Sequence, residues 1–394
     1  MNRKPLYLVG PSGHPNFGDE FITASWLRFL AAERPDDDVW LDCPHPGSAQ
    51  ILFAGLHPRL HITNTLWRCA AENQDLPASE LTERMMSLVT DLGSPSFDLG
   101  LLMLREAASL HLIGGGYING MWAHHAALIY GMRAVHNLTG APLYGTGLGL
   151  MPGLFDEPAN RTLFDDFAHA TARDAASSDA YGLAQTPDDA FLGIKRELGR
   201  NQRDGVFVCI QSDTADPGLA DSAIATARAI LEPMVAAGRS IHYVEAVPGA
   251  DRVAFDRLAE IIPAENFLSF AEIWQQGLPL SGRQTWITTR FHFHLLAAAA
   301  GADGVALPVK PGYYDVKHQS LIDLGSRWSL GGGHANNSPE GAGSLALRLD
   351  ELSVLKESEA RELYGQQSPA PALRGPLTRF GRSAGRSLGS RLRR

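Results

Sequence analysis

Short apolar, β-branched runs recur between longer stretches of mixed polarity from residue 5 to about residue 310. Runs of that length read as buried strands and the stretches between them as helices; regular alternation of the two marks parallel α/β layers. The pattern predicts strands at 6–9, 39–41, 110–113, 142–145, 206–210, 241–245, 285–288 and 304–307. It predicts helices over 20–32, 121–137, 219–237 and 252–262, with 63–100 helical or irregular. Between 190 and 204, charged residues such as Lys195, Arg196, Glu197, Arg200 and Arg203 replace the apolar periodicity. A boundary there gives an N-terminal domain over 1–195 and a C-terminal one over 204–364, with 365–394 as a tail. The expected fold class is α/β: two Rossmann-like domains facing each other across a cleft.

Length and composition agree with that picture. A chain of 394 residues is long for one core, and 44% hydrophobic residues are those of a globular protein. No apolar run is long enough to span a bilayer, and the first apolar stretch is too short for a signal peptide core. Cys43, Cys69 and Cys209 are scattered, which points to a reducing cytoplasm and no metal site. The net charge of −9 hides an asymmetry: residues 365–394 carry seven arginines and no acid, leaving about −16 on the body. An acidic body argues against nucleic acid as a partner. In the tail, Leu377, Phe380, Ala384, Leu388 and Leu392 fall at helical spacing among arginines. That gives a secondary expectation of peripheral contact between 368–394 and an anionic membrane at its inner face. Gly381, Gly385 and Gly389 each cost a helix about 1 kcal/mol, so disorder is the expectation in solution.

Where a strand runs into a helix, amides and side chains gather at the carboxyl edge of the sheet, where such folds meet ligands. The most informative junction is Thr288-Thr289-Arg290-Phe291-His292-Phe293-His294, before the small-residue run 295–301. Arginine offers a planar fork for phosphate or carboxylate, and histidine exchanges protons near neutrality. In an extended segment, Arg290, His292 and His294 share a face; in a helix, Arg290 and His294 align and His292 turns elsewhere. Four further junctions follow from the same reasoning. Residues 10–20 hold Asn16, Gly18, Asp19 and Glu20, either as a ligand loop or as a turn with left-handed Asn16 and Gly18 and an Asp19 cap. Gly114-Gly115-Gly116 permits close backbone approach, and of His124 and His125 at most one can face a site beside it. Arg173-Asp174, taken alone, reads best as a surface ion pair. Lys310 and Lys317 add positive charge to the same edge, or belong to an ordinary solvated loop.

Taken in order, these stretches resemble the polysaccharide pyruvyl transferase family. The pattern is Asn16-Phe17-Gly18-Asp19-Glu20, Gly114-Gly115-Gly116, Arg173-Asp174-Ala175-Ala176-Ser177, Thr186-Pro187-Asp188, Arg290-Phe291-His292 and Tyr314…Lys317. The similarity runs from about residue 6 to 325. Phe291 stands where the family usually has leucine, and Phe293 where it often has a small residue. The resemblance implies a fold like the B-type glycosyltransferases. It implies transfer of a pyruvyl group from phosphoenolpyruvate to a sugar of an exopolysaccharide or its lipid-linked precursor, as a ketal, with phosphate release. It implies donor binding by Arg173, Arg290, Lys317, Gly115 and Gly116, with Arg290 and His292 catalytic and His292 the general acid. Asn16, Asp19, Glu20 and His124 would bind or orient the acceptor. No metal or cofactor is expected beyond phosphoenolpyruvate as co-substrate. Two other readings stay open: a nucleotide-sugar glycosyltransferase, with Glu245 gripping the ribose, and a non-catalytic binding protein on the same fold.

Overall fold

The computed structural model describes residues 4–331 and 344–365; the expectations for the 368–394 tail lie outside them. Among the described residues, thirteen strands form two parallel sheets. The first is built from β1 (Leu6–Val9), β2 (Val39–Asp42), β3 (Leu60–Thr63), β4 (Ser109–Leu112), β5 (Leu143–Leu148), β6 (His169–Ala172) and β7 (Ala184–Gln185), in the order β3-β2-β1-β4-β5-β6-β7. The second contains β8 (Gly205–Cys209), β9 (Ile241–Val244), β10 (Phe267–Leu268), β11 (Gln284–Thr288), β12 (Asp303–Ala306) and β13 (Ser329–Leu330), in the order β10-β9-β8-β11-β12-β13. Each sheet reverses its winding beside its first strand, the doubly wound order that leaves a crevice outside the carboxyl ends of β1/β4 and of β8/β11. The fold is α/β with two Rossmann-like halves.

All eight expected strands are present within two or three residues of their limits. The central ones are apolar on both faces, as a sheet covered by helices on both sides requires: β1, β4 and β9 are buried throughout. The strands that the pattern does not give are short or polar, such as β6 with sequence HATA and the two-residue β7 and β10. Residues 63–100 resolve into three helices, Leu66–Glu72, Ala78–Thr90 and Asp98–Arg105. The helix expected over 121–137 is instead a 3-10 turn, Gly120–His125, followed by a helix, Ala126–Thr139, with the break at Trp122 (φ −132°, ψ 64°).

One apolar cluster runs through both halves, with Phe17 and Phe21 from the first and Trp286 and Phe293 from the second. The Phe17 and Phe293 rings lie 5.5 Å apart. The last described helix, Leu349–Tyr364, falls by sequence in the second half, yet its buried polar contacts are to the first. Lys356 Nζ reaches Asp189 Oδ1 at 2.8 Å, Glu359 Oε1 accepts from Thr171 Oγ1 at 2.7 Å, and Tyr364 Oη meets His111 Nδ1 at 3.1 Å.

Candidate active site

The carboxyl ends of β1, β4, β6, β8, β11 and β12 open on one cavity of about 480 Å³, lined from both halves. Arg173, Arg290, His292, Lys317, Gly116, Asn16 and Asp19 all line it.

The second half contributes the β11 junction. The Phe291–Ala299 helix starts directly after Arg290, whose backbone is still extended and whose amide donates to Thr288 Oγ1 at 3.0 Å. Neither sequence alternative describes the outcome: the segment is helical, yet Arg290 and His292 face the cavity while His294 turns inward. His294 is fully buried, stacked on Trp328 at 4.2 Å and bonded to Ser326 Oγ at 2.7 Å. Arg290 lies between two carboxylates. Fully buried Asp251 accepts from Nη2 at 2.5 Å and from the Ala246 and Val247 amides at 2.8 and 2.9 Å, which fixes it. Asp213, whose side chain is 37% exposed, accepts from Nη2 at 2.7 Å.

The first half answers with Arg173, at the end of β6. Its side chain and that of Asp174 are only 2% and 4% exposed, so the expected surface pair is not one. Asp174 caps the next helix through the Ser177 amide at 2.8 Å, and Arg173 turns into the cavity. Its Nη1 donates to Asp188 Oδ2 at 2.9 Å, and its guanidinium lies 4.1 Å from the centre of the Phe291 ring. The bulkier residue at 291 thus holds an arginine from the opposite half by a cation–π contact. Arg173 Nε has no hydrogen-bond partner among the described residues.

Two glycines make room for side chains that line the cavity. A Cβ on Gly116 would fall 2.5 Å from Lys317 Nζ and 3.3 Å from Arg173 Nη2, so both cations converge on that backbone. A Cβ on Gly18 would fall 1.9 Å from His292 Nδ1. Gly18 is therefore a helical residue in the Phe17–Glu33 helix that makes room for an imidazole, and Asn16 is extended (φ −129°); the left-handed turn expected at these two residues is absent. Asn16 Nδ2 instead donates to Asp19 Oδ2 at 2.7 Å.

The electrostatics follow from this packing. Burial, with Arg173 alongside, holds the Lys317 ammonium well below the usual lysine range, and Asp19, Asp174 and Asp188 offset it only in part. Asp19 keeps some surface toward the cavity, yet its depth raises its carboxyl against the opposing pull of His292, Lys317 and Arg173. Burial would raise Asp188 too, but His292 and Arg173 outweigh it and hold it below the usual carboxylate range. His292 Nε2 lies 3.7 Å from Asp188 Oδ2, too far for a hydrogen bond.

Several expected residues lie elsewhere. Glu20 is buried and does not line the cavity; its Oε1 accepts from the Gly13 amide at 2.8 Å and closes the loop after β1. Gly115 turns its backbone inward, with its carbonyl accepting from the Gly149 amide at 2.9 Å. Of the adjacent histidines, His125 lines the cavity and His124 does not. Lys310 pairs with Asp216 at 2.5 Å. Glu245 accepts from the amides of Gly249 and Phe270 at 3.1 and 3.2 Å, which spends both oxygens outside the cavity. Sequence reasoning does not find Asp188, Asp213 and Asp251. Only Asp188 carries a signal, the Thr186-Pro187-Asp188 stretch, because nothing local to the other two announces an arginine 39 to 77 residues away. Among the described residues no cluster of three His, Cys, Asp or Glu is arranged to hold a metal ion, and no helix is long and apolar enough to cross a membrane.

The structure is similar to the UDP-GlcNAc 2-epimerase of Methanocaldococcus jannaschii, at 11% identity and TM-score 0.50, over 91% of this chain and 99% of that one. It is also similar to a putative UDP-N-acetylglucosamine 2-epimerase from Listeria monocytogenes, at 12% identity and TM-score 0.47 over 93% of each chain. Anabaena HepE, solved with UDP and glucose, matches at 13% identity and TM-score 0.45 over 92% of this chain and 96% of that one. At such identities the likeness concerns the fold alone. No curated protein matches in sequence. The sequence model of polysaccharide pyruvyl transferase, however, matches residues 16–311, from the Asn16 loop through the β11 junction to just beyond β12. With most of its length matched, this chain is a transferase and belongs to the polysaccharide pyruvyl transferase family.

Proposed function

We propose that the protein transfers the pyruvyl group of phosphoenolpyruvate to a sugar carrying two free hydroxyls, forming a pyruvate ketal and releasing phosphate. The observation that carries the reading is the convergence of Arg173 from one half with Arg290, His292 and Lys317 from the other on one cavity. A small donor with a phosphate and a carboxylate calls for that many cations in a dry site. His292 delivers a proton to the donor's methylene carbon, which leaves the neighbouring carbon electrophilic; Asp188 lies beside the ring, 3.7 Å from Nε2. One sugar hydroxyl adds to that carbon, the C–O bond to phosphate breaks, and the second hydroxyl closes the ketal. Of the two hydroxyl protons, one replaces that given by His292 and the other leaves with phosphate. Asp19, its carboxyl raised by burial and its charge coupled to His292, takes up the first and relays it to the imidazole.

The test is phosphate release from phosphoenolpyruvate in the presence of glycan extracts, with mass-spectrometric detection of the ketal. His292→Asn is expected to abolish both signals while the fold persists. Arg290→Lys is a cleaner partner than Arg290→Ala, because it leaves buried Asp251 with a counter-ion. It should lose at least roughly a hundredfold in kcat/KM through loss of the fork. Wild-type turnover in either variant refutes the assignment.

A further inference from the structure

The cavity wall carries two groups of side chains of different chemistry. One is charged, around Arg173, Lys317 and Arg290; the other includes Trp67, Trp122 and His125, a contiguous aromatic cluster. His125 lies nearly parallel to Trp122, with planes 17° apart and centroids 6.1 Å apart, and edge-on to Trp67 at 4.8 Å. The break in the helix at Trp122 is what presents that indole. A single ring joins the two groups: Tyr313 stands edge-on to Trp122 at 6.1 Å, and Lys317 Nζ lies 3.5 Å from the centre of the Tyr313 ring. Tyr313 Oη is fixed to the Gly116 carbonyl at 3.1 Å, so the spacing is rigid.

Two polar atoms of this cluster have no hydrogen-bond partner among the described residues. Trp67 is 7% exposed, and its indole Nε1 makes no hydrogen bond among the described residues. His125 Nδ1 lies 2.8 Å from the Tyr117 carbonyl, which can only accept, so Nδ1 carries the proton. Burial pushes His125 down to about 4, and at neutral pH its Nε2 is therefore a free acceptor. The cluster thus combines apolar ring faces, one donor and one acceptor, with no Asp, Glu, Lys or Arg among its members.

We infer that this aromatic cluster is the docking face for one pyranose ring of the acceptor, with the C–H face of the sugar on Trp122 and its hydroxyls on His125 and Trp67. The inference rests on the pyruvyl transfer reading and deepens it. An uncharged hexopyranose has both an apolar face and a rim of hydroxyls, which is the complement of this set. A phosphorylated ligand would meet no cation there. A ring seated on Trp122 is one aromatic side chain away from Lys317, within reach of a donor held by the charged group.

The test uses methyl glycosides of the common hexopyranoses, with and without phosphoenolpyruvate. Saturation-transfer NMR is expected to show binding of at least one glycoside to the wild-type protein, and Trp122→Ala is expected to abolish that signal. In the coupled reaction the same variant should raise KM for the glycoside roughly tenfold, equivalent to about 1.4 kcal/mol, with phosphoenolpyruvate affinity by calorimetry changed less than about twofold. Trp122→Phe, which keeps a ring, should restore most of the KM. Should Trp122→Ala fail to fold, Trp122→Phe and His125→Ala carry the comparison, the second weakening glycoside binding and the first retaining it. Equal glycoside binding by wild type and Trp122→Ala, no glycoside binding by the wild type, or binding of uridine and not of any sugar overturns the docking face. Glycoside binding that depends on Trp122 without any phosphate release supports the docking face while refuting the transfer reading.

Discussion

Gly18 carries a cost that only its neighbour explains. Glycine in a helix is disfavoured by about 1 kcal/mol relative to alanine, yet a methyl there would lie 1.9 Å from His292 Nδ1. Gly18→Ala should displace the imidazole and lower kcat by about a hundredfold, since a misplacement near 1 Å has that effect. Steady-state kinetics with a melting curve would check it, and wild-type kcat would contradict the packing argument. Asp213 is the other residue with a cost. It is the exposed member of the pair on Arg290 and, in the proposed reaction, would compete with the anionic donor, whereas Asp251, fully buried, also holds the arginine at 2.5 Å. Asp213→Asn should tighten phosphoenolpyruvate binding about tenfold, as expected for removing one partly solvated like charge from the cavity. Weaker binding by calorimetry would show instead that Asp213 positions Arg290.

At the scale of elements, the Leu349–Tyr364 helix is tied to the first sheet by a buried network. Lys356, fully buried, bonds Asp189 at 2.8 Å and Glu359 at 2.5 Å, and Asp189 Oδ2 also accepts from Trp26 Nε1 at 2.6 Å, the Gly114 amide at 2.8 Å and Thr146 Oγ1 at 2.8 Å. The Gly114 contact links this remote helix to the glycine run whose last member, Gly116, lines the site. Lys356→Met takes the ammonium from fully buried Asp189 and from Glu359, which keeps His169, and should cost about 3–5 kcal/mol in urea unfolding. Burial acts to raise Glu359, but His169 and Lys356 prevail and lower it to about 2. A depressed carboxylate adds stability that is complete above its unfolded value and is lost as pH falls through the folded one. The window runs from about 4.5 down to about 2, and in Lys356→Met the acid limb should move to higher pH. An unmoved limb would mean that His169 and Thr171 alone hold Glu359.

For the whole molecule, the proposed donor site bridges the halves, because Arg173 belongs to one and Arg290 and Lys317 to the other. Phosphoenolpyruvate at about a hundred times its Kd should add about 2.7 kcal/mol of stability and raise Tm. Absence of any thermal shift would argue against a shared donor site. Binding should also take up a proton. Lys317 is depressed in the free protein, so above its lowered pKa it is neutral, and an adjacent anion restores its charge. Affinity then falls as pH rises across the window between the free and bound values of that group. Calorimetry in buffers of different ionisation heat should read this uptake, and Lys317→Met should abolish it.

Sequence alone determined the alternating layers, the central strands and most of the cavity-facing cations, because buried strands must be apolar and strand-to-helix junctions must fall at the carboxyl edge of a parallel sheet. Arg290 and His292 were legible for that reason; Arg173 and Lys317, which local pattern leaves as a surface pair and a solvated loop, became site candidates only through the family pattern. Tertiary structure decided what each of them touches. Asp213 and Asp251 find Arg290 only when loops from separate strands meet. Glu20 and Glu245 look like site acids in one dimension but spend their oxygens on backbone amides of neighbouring loops. The choice of His125 over His124, and of His292 over His294, turned on a backbone break at Trp122 and on a buried stack against Trp328. Local pattern sets which residues reach the sheet edge; the packing of distant segments sets their partners, and through those partners their charge.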